Sequence, residues 1–248
     1  MAQVSKFSCT ECTLYDRCIP KHISVENHSA FENVVKRSRV MHKGDFLHHY
    51  DDPVKALYII RSGSVKEFVT DNHGEEHILA FYLPGEMIGL DSLGKVNYRC
   101  MTVALETTTY CAISIVHFEQ ICQQFPDLQK MMFNTMSKVI SFENKMLLSI
   151  CNKKANERIA AFLISLLQRY SHLGYSVTEV HLPMSRHDIG NYLGLTSETV
   201  SRVFTQLQKE NIISVHPKMV TINNMTALNK LGETCSSHKI AENVKETN

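Results

Sequence analysis

Between Met184 and Ile213 the chain reads MSRHDIGNYLGLTSETVSRVFTQLQKENII, and few folds satisfy such a stretch. Ser185 followed by Asp188 is a capping signature ahead of the apolar Ile189, Tyr192 and Leu193, and Gly194 supplies the left-handed residue that closes a first helix. Thr196 then caps a second. At about 100° per residue, Val200, Val203, Phe204 and Leu207 share one face of that helix, and Glu198, Ser201 and Arg202 gather on the other. A solvated charged face would explain the trio alone, but not the turn glycine and two caps that coincide with it. The pattern predicts a helix-turn-helix. Its presented residues suit base edges in the major groove: Arg donates twice to guanine, Glu accepts from cytosine N4, and Ser adapts to either.

The net charge of the 248 residues is only +1, so attraction to a polyanion must come from a local patch. Lys153 to Lys218 supplies one, with eight Lys and Arg against five Asp and Glu, a difference of +3. Upstream, the β-type runs ALYIIRS, SVKEFVT and HILAFYL alternate with turn signals at Gly44, Asp52-Pro53, Gly63, Asn72-His73-Gly74 and Pro84-Gly85, as in an antiparallel roll or barrel. After Val116 the pattern becomes helical. Met132, Met136, Val139, Met146 and Ile150 form a heptad seam, with Ile140 and Leu147 beside it, and Glu143 fills the missing seam position. ISVHPKMVTI reads as a hairpin after the second helix. The fold class expected is α+β: an N-terminal antiparallel β-roll, a long dimerisation helix and a C-terminal winged helix-turn-helix. The divisions expected are a cysteine-rich segment 1–22, a roll 23–120, the dimerisation helix 121–152, the DNA-binding domain 153–231 and a polar tail 232–248.

No apolar run approaches the roughly 18 residues of a membrane span, and Met1 to Phe7 lacks the apolar core of a secretory signal, so a cytoplasmic location is expected. There, eight cysteines are not a disulfide framework. Cys9, Cys12 and Cys18, in FSCTECTLYDRCIP, are crowded into a short polar stretch, which favours a shared metal with a fourth ligand from elsewhere. Spacing leaves Cys100, Cys111, Cys122, Cys151 and Cys235 open as that ligand. It also leaves open a structural zinc site recruiting His22, a thiol redox pair at Cys9 and Cys12, and an inert group of thiols. The thirteen histidines are dispersed and no acid, base or nucleophile constellation stands out, so no enzyme is expected.

DIGNYLGLTSETVSR resembles the helix-turn-helix of the cyclic-AMP receptor protein superfamily, in the branch of the fumarate and nitrate reduction regulator (FNR). LYIIRSGSVK, LPGEMIGLDSLG and ALETTTYCAI extend the resemblance over nearly the whole chain. It implies that Glu198, Ser201 and Arg202 read bases, with Ser197 and Thr199 beside them; Ser197 stands where valine is common in the branch. It also selects Cys111 to complete, with Cys9, Cys12 and Cys18, a 4Fe-4S cluster. The function so implied is oxygen-responsive regulation, in which the cluster promotes homodimerisation and binding to palindromic double-stranded DNA without air, with RNA polymerase as a further partner. Cyclic-nucleotide sensing is the alternative within the superfamily: Gly85, Glu86 and Gly89 match the phosphate-cassette turn and Arg99 the phosphate-binding arginine, but Leu90 replaces the ribose-binding glutamate.

Overall fold

A computed structural model of the chain describes residues 9–23, 28–37 and 40–232. Cys235, Met1 to Phe7 and the tail beyond Gly232 lie outside them. The described chain divides into two compact units, with the boundary between Ser141 and Phe142.

In the first unit, three 3-10 turns, Cys9–Glu11, Tyr15–Arg17 and Ile19–His22, precede α1 (His28–Val34) and β1 (Val35–Arg37). The roll follows as β2 (Phe46–His48), β3 (Ala56–Ser62), β4 (Val65–Thr70), β5 (Glu76–Tyr82), β6 (Met87–Ile88), β7 (Met101–Ala104) and β8 (Thr109–Ser114). Two antiparallel sheets result, ordered β1-β8-β3-β6 and β2-β7-β4-β5. The three runs read from the sequence are β3, β4 and β5; β3 and β4 bury adjacent residues, Leu57 with Ala56 and Phe68 with Glu67, and β5 buries Ile78 and Phe81.

α2 (Ile115–Gln124) and α3 (Pro126–Asn152) then follow. The single helical stretch expected over 121–152 is thus two helices, broken at Phe125, because Pro126 has no amide to continue α2 but suits the first position of a new helix. One buried cluster unites Ile19 and Ile23 from the cysteine-rich segment, Phe31, the sheet residues Leu57, Ile59 and Ile113, Phe118 and Ile121 of α2, and Leu128 and Met132 of α3. Met132, expected in the helix seam, is therefore committed to this core. The exposed apolar residues of α3 include Phe133, Ile140, Leu147 and Leu148.

The second unit holds α4 (Ala155–His172), β9 (Glu179–His181), α5 (Arg186–Leu193), α6 (Ser197–Lys209), β10 (Ile213–His216), β11 (Met219–Ile222) and α7 (Met225–Gly232). β10 and β11 are the expected hairpin. The sequence reading missed β9, which pairs along β11 to complete a three-stranded wing. Among the described residues, no helix is long and apolar enough to cross a membrane.

Candidate functional site

The helix-turn-helix is α5 and α6. Ser185 Oγ accepts the Asp188 amide at 3.1 Å, and the Asp188 carboxylate accepts the Ser185 amide at 2.9 Å, so the box closes in both directions. Gly194 ends α5 at φ +64°, the left-handed conformation anticipated from the sequence. A side chain at Gly190 would put its Cβ 2.6 Å from the Leu195 carbonyl oxygen, so the turn closes against α5 only because this position is bare. Arg158 of α4 clamps the turn from below, donating to the carbonyls of Leu193 at 3.0 Å and Lys153 at 2.9 Å.

Thr196 Oγ1 accepts the Thr199 amide at 3.1 Å and starts α6. Val200, Val203, Phe204 and Leu207 are buried, and the Arg186 guanidinium lies over the Phe204 ring at 3.6 Å. Ser197, Glu198, Ser201 and Arg202 are exposed and Thr199 is half-buried. The first turns of α6 thus offer a carboxylate, two hydroxyls and a guanidinium to solvent while the opposite face is locked into the unit.

In the first unit, Cys9, Cys12 and Cys18 lie on and between the 3-10 turns, Cys9 and Cys18 packing against the buried cluster. Buried His28, which the sequence reading passed over, pins this segment with Nε2 2.9 Å from the Pro20 carbonyl oxygen and 3.1 Å from that of Ile23. The Cys9 amide donates to the Glu32 carboxylate of α1. Cys111 sits in mid-strand on β8, paired with Arg37 of β1 and Ile59 of β3.

Burial pushes the Cys18 thiol up to about 12, and the charges of Cys111, Cys9 and Cys12 act on it in the same direction. Cys9 and Cys18 pack on a buried cluster that includes Ile59, the β3 partner of Cys111, so the four cysteines share one region of the first unit. They do not form a closed single-ion site: no three of them meet within 4.8 Å, whereas zinc–sulfur bonds of about 2.3 Å hold ligand sulfurs roughly 3.8 Å apart. Among the described residues neither the expected zinc site nor the expected four-cysteine cluster site is found as a closed ligand group, and the His22 side chain invoked for zinc lies outside the described part. Among the described residues, the donor group that does meet within 4.8 Å is His48, Glu67 and Cys100, inside the roll. Cys122 is half-buried and Cys151 exposed.

The cyclic-nucleotide alternative finds no cationic support from Arg99, which is exposed and reaches Tyr50 Oη at 3.4 Å. Nearby, Tyr98 is buried and stacks on His48 with ring centroids 3.9 Å apart.

Residues 38–125 match the cyclic nucleotide-binding domain family, and residues 157–231 match the Crp-like helix-turn-helix domain family. The chain is 40% identical to the transcriptional activator protein anr of Pseudomonas aeruginosa over 86% of its own length and 88% of that protein's. It is 37% identical to the anaerobic regulatory protein of Pasteurella multocida, over 93% of this chain and 84% of that one. The fumarate and nitrate reduction regulatory protein of Escherichia coli is 36% identical, over 90% and 89%. Among solved structures, FixK2 from Bradyrhizobium japonicum superposes with a TM-score of 0.74 at 26% identity, covering 82% of this chain and all of that one. Each of the three relatives bears the name of a regulator or activator, and none that of an enzyme. With its roll, its capped recognition helix and these relatives, the chain belongs to the Crp/Fnr superfamily of DNA-binding transcription regulators, of the FNR type.

Proposed function

We propose that the chain is an oxygen-responsive regulator that pairs and grips a palindromic DNA site when air is absent, with Cys9, Cys12, Cys18 and Cys111 holding a 4Fe-4S cluster. The observation that carries this reading is that Cys9, Cys12 and Cys18 share one short segment whose Cys9 and Cys18 pack on the buried cluster holding Ile59, the β3 partner of Cys111. When bound, such a cluster supplies one iron to each thiolate together with sensitivity to molecular oxygen. The names anaerobic regulatory protein and fumarate and nitrate reduction regulatory protein, borne by relatives, agree with it.

The chain's own residues supply the coupling. Ile19 and Ile23, flanking Cys18, share a buried cluster with Leu128 and Met132 of α3, so ordering the cysteine segment orders the start of that helix. Farther along α3, Phe133, Ile140 and Leu147 recur at heptad spacing and are exposed, with Met136 and Glu143 between them and Ile150 after them. A second copy of α3 would cover this stripe, and Met146 and Val139 border it. Glu143 is exposed in the single chain. Pairing buries it, which opposes association by several kcal/mol, on the order of 3–5 if its charge is left without a partner. In two paired chains Glu198, Ser201 and Arg202, flanked by Ser197 and Thr199, read one half-site each, and RNA polymerase is the further partner. The division of labour is a cluster-binding segment 1–22, a sensor roll 23–120, a dimerisation region 121–152 in which α3 does the pairing, a DNA-binding domain 153–231 and a tail 232–248.

The test is an anaerobic preparation assayed for iron, sulfide, mass and operator affinity, beside the same protein stripped of iron. About four irons per chain, with pairing and tight operator binding in the loaded form alone, is the expected result. Iron-free protein that pairs and binds as tightly would overturn the proposal.

A further inference from the structure

On the inner face of the roll, β2, β7 and β4 lie side by side, and their register sets His48 and Glu67 on either side of Thr102. Cys100 precedes Thr102 by two residues, in the bend that leads into β7, and is buried like Thr102. Two irregularities assist: the β2–β7 register shifts between Phe46 and His48, and the β4–β5 register shifts between Glu67 and Phe68. Bulges of this kind re-aim side chains, and here they flank two of the three donors. His48, Glu67 and Cys100 are buried, at 3%, 5% and 2% exposure.

From this geometry we infer a second metal site, in which an imidazole nitrogen of His48, a Glu67 carboxylate oxygen and Cys100 Sγ hold one divalent ion of zinc type. One donor atom from each of the three residues lies within 4.8 Å of the other two, and tetrahedral bonds of about 2.0–2.3 Å require separations of roughly 3.3–3.8 Å, so closure by at most about 1–1.5 Å completes the site. Nitrogen, oxygen and sulfur together suit a borderline-soft ion. Nδ1 of His48 makes no hydrogen bond of good geometry although the side chain is buried, the Cys100 and His49 backbones being the groups that act on the ring, and such a nitrogen gains from a better partner. Its other nitrogen, Nε2, lies 3.0 Å from Thr102 Oγ1 and the ring stacks on Tyr98, so the imidazole is held with Nδ1 available. Tyr82 Oη donates to Glu67 at 3.4 Å and orients the carboxylate in the same way. Binding releases the Cys100 thiol proton to solvent and leaves a fourth position for water. The ion ties β2, β4 and β7 together, and it draws on none of the cysteines assigned to the cluster.

The decisive material is the full chain carrying Cys9→Ser, Cys12→Ser and Cys18→Ser, which lacks the other thiolate set. Titrated anaerobically with Co²⁺, it is expected to bind about one ion per chain, with a thiolate-to-cobalt charge-transfer band and tetrahedral visible bands that Zn²⁺ abolishes. Adding Cys100→Ser is expected to remove the charge-transfer band, and His48→Ala to weaken binding at least about tenfold. Absence of stoichiometric uptake, or a band that survives Cys100→Ser, overturns the inference. X-ray absorption of the zinc-loaded unmodified chain gives an independent reading should a variant fail to fold. One sulfur at about 2.3 Å beside nitrogen and oxygen supports the site, and zinc bound through several sulfurs, or none, refutes it.

Discussion

Gly190→Ala sets two effects of opposite sign against each other. In a helix interior, alanine is preferred to glycine by about 0.8–1.0 kcal/mol, so on propensity alone this variant of α5 should be more stable. The added methyl, however, would stand 2.6 Å from the Leu195 carbonyl oxygen and 3.3 Å from the Ser197 amide nitrogen. Both are backbone atoms of the turn, which cannot swing aside as a side-chain end can, and overpacking of this kind costs about 1–3 kcal/mol, here toward the upper end. The net expectation is a loss of about 1–2 kcal/mol, or roughly 5–10 °C in the unfolding midpoint of a unit this size. Calorimetry of the full chain should show the shift in the transition of the unit beginning at Phe142. Operator affinity should fall as well, because the displaced turn carries the Thr196 cap of α6. A midpoint that rises or stays fixed would mean that the close approach across the turn is not as described.

Arg202→Ala should leave the fold unchanged, as the side chain is exposed, and weaken binding to a palindromic operator by about 1–3 kcal/mol per half-site, read by fluorescence anisotropy. Thr196→Ala removes the α6 cap and should cost about 1 kcal/mol in urea unfolding, with Thr196→Ser restoring most of it. Glu143→Ala should convert protein handled in air from single chains toward pairs in sedimentation; a variant as monomeric as its parent would count against a seam opposed by that carboxylate. Hydrogen bonding from His77, and then from the Glu75 and His73 amides, holds Asp71 below the usual carboxylate range. Its contribution to the β4–β5 turn is therefore present above that range and is lost as the pH falls through the depressed value, a dependence that Asp71→Asn should remove from amide exchange in this hairpin.

How much of this could be read from residues alone depended on the range of the interactions involved. Gly194, Thr196 and the buried face of α6 are local features, set by neighbours within a turn or two, and they stand where spacing puts them. The strands β3, β4 and β5 were equally legible, since each is a short run of β-type residues bounded by turn residues. β9 was not, because three residues carry no period and are defined only by pairing with β11. Met132 obeys the heptad and yet packs into the roll core, a choice made by tertiary contact that periodicity cannot express. His48, Glu67 and Cys100 come from separate runs, and only the sheet register and its two bulges bring them together. Spacing left several chemistries open for the cysteine segment, and its attachment through His28 depends on contacts with carbonyls that no motif encodes.

Arg158 holds the carbonyl of Lys153, at the end of α3, and that of Leu193, at the end of α5, with one planar cation. A guanidinium gripping both cannot release either without stranding a carbonyl it satisfies, so the two helix ends behave as gears on a common shaft. Loosening either end strands a carbonyl at the other, so within this unit α4 carries the residue after α3 and the last residue of α5 as one joint.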